Sequence, residues 1–321
     1  MSRARAAFLP LAAFAAAAGA TSPGAASPGA ARPVAAAESY TRKTLSFPGG
    51  QIDLSIETVG GAPATATHVE AWVRRAANAV TGFYGGFPVR RVRVVVRRIP
   101  GRGIHGTAFG SDLVRLRLGV ETAPARLDSD WVMTHELLHL GFPDLDRRHL
   151  WMREGLSTYF EPIARARAGH MPVRQLWSEL FRDLPRGFPR AGDGGLDQTR
   201  SWGTTYWGGA LFWFLADVEI RERTGNRRSA DDALRAILAA GGNASRRWSI
   251  ERVVEVGDRA TGTAVLADLY RRLALRRFEV DLEALAARLG VSAHRFDDRA
   301  PLADIRRAIT APVSRSPRIP R

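Results

Sequence analysis

The chain has no cysteine in its 321 residues and a single lysine, Lys43, among its 47 basic ones. The first absence excludes disulfides and thiol catalysis, and it leaves no thiol for a lipid anchor. The fold must then be held by core packing, a metal, or both, and an apolar fraction of 45% is ample for a core. The second absence makes the formal net charge of +15 a matter of arginine. Those arginines are scattered, and without a recognition motif or a concentrated basic stripe they do not mark a specific nucleic-acid partner. Summed charge still draws such a chain non-specifically toward anionic surfaces at low salt. No internal repeat is present.

Long apolar runs are also missing outside the first residues. "MSRARAAFLPLAAFAAAAGA" places Arg3 and Arg5 ahead of an alanine-rich run that contains Pro10 and ends on the small residues Ala18 and Ala20. That is the layout of a cleavable secretory signal over 1–20, too short and wrongly flanked for a membrane span. Cleavage falls after Ala20 or as late as Ala37, because 21–39 is a low-complexity linker of Ala, Pro, Gly and Ser. The expected destination is outside the cytoplasm, periplasmic or secreted, with no membrane span in the mature form.

Alternation at Ile52, Leu54 and Ile56 predicts strands on either side of a Pro48-Gly49-Gly50 turn. Val69, Trp72, Val73, Ala76, Ala77 and Val80 recur at helical spacing, which predicts a helix over 65–84 that ends at Gly85. "RVRVVVRRI" at 91–99 and "DLVRLRLG" at 112–119 alternate as strands around a glycine-rich turn. Helices are predicted over 129–140, over 151–168 with Pro162 as a bend, and over 206–224, and helical patterns dominate from there to about residue 300. The last residues, 301–321, read as a disordered tail rich in Pro, Ser and Arg.

The stretch "MTHELLHL" at 133–140 poses the functional question. Four residues apart on a helix, His135 and His139 share a face and can hold one ion, with Glu136 beside them for proton transfer. The same letters fit a core helix with polar residues on its wet side. Two histidines do not complete a catalytic zinc site, which needs a third protein ligand and an open position. Glu154 in "LWMREGLSTYF" is separated from His139 by fourteen residues, enough to turn the chain and bring a second helix back. His149 is the alternative third ligand, but its spacing lacks the glycine pattern of the three-histidine sites. Tyr206 in "TTYWGGALFWF" is the candidate donor to a developing oxyanion, or else a packing tyrosine.

Several segments together, "HELLH", "LWMREGLSTYF", "YWGGALFWFLADVEIRERTG" and "SADDALRAI", resemble the gluzincin metallopeptidases, particularly the glycyl aminopeptidase family, over about residues 69–289. The resemblance implies an α+β fold, with a thermolysin-like zincin catalytic domain at 40–170 followed by an α-helical domain at 171–300. It implies Zn²⁺ held by His135, His139 and Glu154, Glu136 as general base and Tyr206 as oxyanion stabiliser. The implied substrate is a peptide or protein.

Three departures accompany it. The segment "GIHGTAFGSDLVRLRLG" carries only Asp112 as an acid where related aminopeptidases hold the substrate amine. The β domain ahead of the catalytic part shrinks to residues 40–64, and Gly208 stands where many relatives carry lysine. The competing reading is a non-catalytic zincin-fold scaffold or binding protein of the cell envelope.

Overall fold

Five strands and eleven α-helices make up the part of the protein described by a computed structural model, residues 39–199, 201–292 and 295–312. The expected signal segment and nearly all of the linker lie outside the described residues. β1 (Ser39–Phe47) and β2 (Gly50–Thr58) flank the Pro48-Gly49 turn as their alternation predicts. β3 (Arg91–Ile99), β4 (Ile104–Phe109) and β5 (Leu113–Gly119) complete one sheet of order β1-β2-β3-β5-β4. β2, β3 and β5 run parallel, and β4 is antiparallel to β5 at the edge.

One sheet face is apolar and the other basic. Ile52, Leu54, Ile56, Val92, Val94, Val96, Val114, Leu116 and Leu118 are buried, while Arg93, Arg97, Arg115 and Arg117 are exposed. Each fully buried side chain of this kind contributes about 1.5–3 kcal/mol, and a one-residue slip would turn the whole set outward. α1 (Ala66–Tyr84) covers the apolar face with the six positions anticipated from its spacing, and Gly85 ends it at φ +82°.

The helix expected at 129–140 is α3 (Val132–Leu138), extended by a 3₁₀ turn at His139–Gly141, and a separate short helix, α2 (Pro124–Asp128), precedes it. Asp130 lies between them and its Oδ2 accepts from Met133 N at 3.2 Å and from Trp72 Nε1 at 3.0 Å. One carboxylate thus caps α3 and ties it to α1. α4 (Leu150–Arg167) and α5 (Val173–Asp183) come next. A π-helical turn, Thr204–Gly208, leads into α6 (Gly209–Thr224). α7 (Ala230–Ala239), α8 (Ile250–Thr261), α9 (Val265–Leu269), α10 (Leu282–Leu289) and α11 (Ala303–Thr310) finish the described chain.

α11 corrects the expected tail at 301–321. Ile305 and Ile309, four apart, are buried, and Arg167 Nε donates to Ile309 O at 2.9 Å. The basic and Pro-rich neighbours concealed this short amphipathic pattern, and residues from 313 on lie outside the described ones. From Tyr40 the described chain packs as one compact unit. The change near residue 170 from mixed to helical structure therefore falls within that unit, without a break in packing. α4 and α6 cross there in backbone contact, since a Cβ at Gly209 would lie 1.9 Å from Trp151 O and one at Gly155 would lie 2.0 Å from Gly209 C.

Candidate metal centre

α3 presents His135 and His139 from successive turns, with their ring centroids 4.9 Å apart and both residues buried. Tyr84 on α1 donates to Leu138 O at 3.1 Å, so the end of the histidine helix is fixed from below as its start is by Asp130. α4 packs on α3 and supplies Glu154, whose Oε2 lies 3.3 Å from His135 Nε2 and 3.5 Å from His139 Nε2. All three ligand atoms lie within 4.8 Å of one another. Ligands about 2.0–2.1 Å from a tetrahedral zinc stand about 3.4 Å apart. Charge-assisted hydrogen bonds draw nitrogen and oxygen to about 2.7–2.9 Å, so the observed spacings suit a shared cation better than a simple ion pair. The donor set, two imidazoles and one carboxylate, is that of a three-ligand zinc site.

The neighbours of the triad tune it. Ser157, one turn beyond Glu154, meets His139 Nδ1 at 3.2 Å, and a proton shared there leaves Nε2 as the lone-pair donor. Burial would push the Glu154 carboxyl up, but His139 and His135 hold it well below the usual carboxylate range. Burial would lower His135, and the hydrogen bond to Glu154 together with Glu136 carries it above its ordinary value. Glu136 lies beside the triad and packs against β4 at Gly106, and burial raises its pKa against the opposing pull of His139 and His135.

Tyr206 comes from the π-helical turn. Its ring stacks on His135 with centroids 6.0 Å apart and planes 15° apart, which brings it next to Glu154. The Gly155–Gly209 crossing brings this turn over the triad. Gly208 sits in a spot where a Cβ would lie 2.6 Å from Leu196 Cδ2 and 3.0 Å from Gly187 O, so a lysine there would require Leu196 to move. Burial, reinforced by Glu154, raises the Tyr206 pKa, so the phenol remains a proton donor.

All five residues singled out from sequence, His135, Glu136, His139, Glu154 and Tyr206, meet at one place. Two others do not join them. His149 is turned away and bonds Asp197 at 2.8 Å. Asp112 is exposed and lies 3.8 Å from Arg93. β4 is the part of the site that sequence reasoning missed. Gly119 N donates to Gly103 O, which fixes the alternation: 103, 105, 107 and 109 bond toward β5, and 104, 106 and 108 turn their amide groups outward. Gly106 was the available signal, because a Cβ there would lie 2.5 Å from Glu136 Cγ and 2.8 Å from Val132 Cγ1.

No protein-family model and no curated protein matches the sequence. Solved structures do match the fold. An aminopeptidase N family protein from Idiomarina loihiensis superposes with a TM-score of 0.62 at 14% identity, covering 78% of this chain and 49% of that one. The M1 zinc metallopeptidase from Deinococcus radiodurans matches at a TM-score of 0.50 and 18% identity, over 75% of this chain and 53% of that one. A variant of the Deinococcus radiodurans enzyme bound to a Tyr-Ser-Ala substrate matches at 0.52 and 19%, with the same coverage. The chain spans about half the length of these structures, and at such identities the likeness is one of fold.

Proposed function

We propose that the protein is an exported zinc-dependent peptidase of the gluzincin type, with a thermolysin-like catalytic part and motifs most like those of the glycyl aminopeptidase family. The observation that carries this reading is the convergence of His135, His139 and Glu154 on one point, with Glu136 and Tyr206 on either side of it. The fold shared with zinc metallopeptidases supports it, and export rests on the N-terminal Arg-then-alanine segment.

Zinc held by the triad supplies Lewis acidity, which acidifies water and polarises a carbonyl. Glu136 takes the proton from the attacking water and passes it to the leaving amine. Tyr206 donates a hydrogen bond from its phenolic hydroxyl to the oxyanion as charge develops. The outward N–H of Gly106 offers the backbone of an extended peptide a hydrogen bond beside Glu136. Asp112, the acid on the strand segment where an aminopeptidase would hold the α-ammonium, is exposed and lies 3.8 Å from Arg93, so the reading favours bonds within a peptide over removal of its first residue.

The test is hydrolysis of N-acetylated and free-amine peptides by zinc-loaded protein and by Glu136→Gln. Both peptide sets are cleaved by the wild type. The substitution lowers turnover roughly 10²- to 10⁴-fold with zinc content unchanged. Full turnover in Glu136→Gln would sink the mechanism.

A further inference from the structure

Beside the site lies a cavity of about 600 Å³, lined by Pro185, Arg186, Phe188, Arg190 and Trp202 among others. It is joined to the metal centre by a row of stacked rings. Trp202 lies on Tyr206 with centroids 4.8 Å apart and planes 22° apart, and Tyr206 lies on His135. The far side of the indole remains open, leaving Trp202 38% exposed, unusual for so large an apolar ring held in a stack.

The charge of the cavity has one sign, since no acidic residue lines it. Arg186 meets Asp183 at 3.1 Å, and that buried carboxylate also binds Arg182 at 2.6 Å. The Arg190 guanidinium makes no ion pair among the described residues. Its backbone is pinned, with Arg190 N donating to Asp193 at 2.8 Å and Arg190 O accepting from Arg277 at 2.6 Å. A lining that combines indole, phenyl and proline with two guanidinium groups complements a short aliphatic stem that ends in a carboxylate. Guanidinium groups bind carboxylates with paired, charge-assisted hydrogen bonds.

We propose that this cavity is a substrate subsite for a peptide carboxylate close to the bond being cleaved, with Trp202 packing the stem and Arg186 and Arg190 binding the charge. The inference rests on the peptide-hydrolysis reading for its context, but binding to the cavity does not require turnover. Isothermal titration of zinc-loaded Glu136→Gln protein with peptides that differ only in Glu against Gln, each made as C-terminal acid and amide, separates the two ideas. The expected result is at least tenfold tighter binding of the carboxylate-bearing peptide. A Glu/Gln difference assigns the carboxylate to a side chain, and an acid/amide difference assigns it to the chain terminus. Arg190→Gln removes most of that preference and Arg190→Lys restores part of it, and both fold because the position is exposed. Equal binding across all four peptides overturns the subsite. Charge-selective binding by a wild type that never cleaves leaves the subsite standing and removes the peptidase reading.

Discussion

Two clusters of histidine and carboxylate draw their histidines from the segment that runs from HELLH to the EG dipeptide, and they behave differently. In one, His149 Nδ1 bonds Asp197 Oδ1 at 2.8 Å, and His149 Nε2 accepts from Arg148 Nε at 3.1 Å. Trp151 Nε1 and Tyr270 OH fill the remaining capacity of Asp197 at 2.8 and 2.6 Å. Every ring nitrogen and both carboxylate oxygens are occupied, and the cluster ties the start of α4 to the turns at 196–198 and 270–274. In the other, His135, His139 and Glu154 aim their ligand atoms at a common point at separations of 3.3 and 3.5 Å. Residue type is the same in both. Unspent coordination capacity, aimed at one place, is what distinguishes a cation site from a structural lock.

The sharpest way to break the comparison is to delete a carboxylate from the open cluster. Glu154→Ala removes the third ligand, and elemental analysis of purified protein is expected to show near-stoichiometric zinc in the wild type and background levels in the variant. Hydrolysis disappears with the metal. Glu154 lies on the inner side of α4 at a place where alanine is a good helix former, so circular dichroism should report the helices intact. A wild type that takes up no zinc would reduce HELLH to a helix with polar residues.

How far the sequence foretells this depends on the range of the contacts. His135 and His139 are four apart on one helix, and Glu154 returns after a fixed span, so local periodicity suffices to place them. The α1 stripe from Val69 to Val80 and the strands carrying Val92 to Val96 and Val114 to Leu118 are legible for the same reason. β4 is hidden because Gly106 interrupts its alternation and Gly103 and Gly110 flank it, and the need for Gly106 arises from the approach of Glu136 and Val132 across the fold. Ser157 and Trp202 act through contacts made by packing between elements, with His139 and Tyr206, and no local pattern marks them.

Tyr206 gives a finer test, since it touches the open cluster without belonging to it. Tyr206→Phe keeps the ring that stacks on His135 and removes only the hydroxyl. Loss of one donor to a developing oxyanion lowers the turnover number roughly 10²- to 10³-fold. Zinc content and peptide affinity should hold, so the loss should appear in kcat with little change in KM. A fall in zinc content instead would make the hydroxyl a support of Glu154 and remove it from the chemistry.

The smallest effect belongs to the closed cluster, where the comparison predicts stability without chemistry. Asp197→Asn keeps the shape but replaces an acceptor pair with one oxygen and one amide, which cannot accept from Trp151, His149 and Tyr270 together. Leaving a partly buried donor unmatched costs about 1–3 kcal/mol. At about 2–4 °C per kcal/mol for a chain of 150–250 residues, the thermal midpoint of this one should fall by several degrees. Zinc stoichiometry and turnover at low temperature should match the wild type, because His149 and Asp197 hold the start of α4 without facing the ion. Loss of zinc at an unchanged midpoint would show the reverse, that the second cluster serves the metal and that saturation of its hydrogen bonds is not what separates the two.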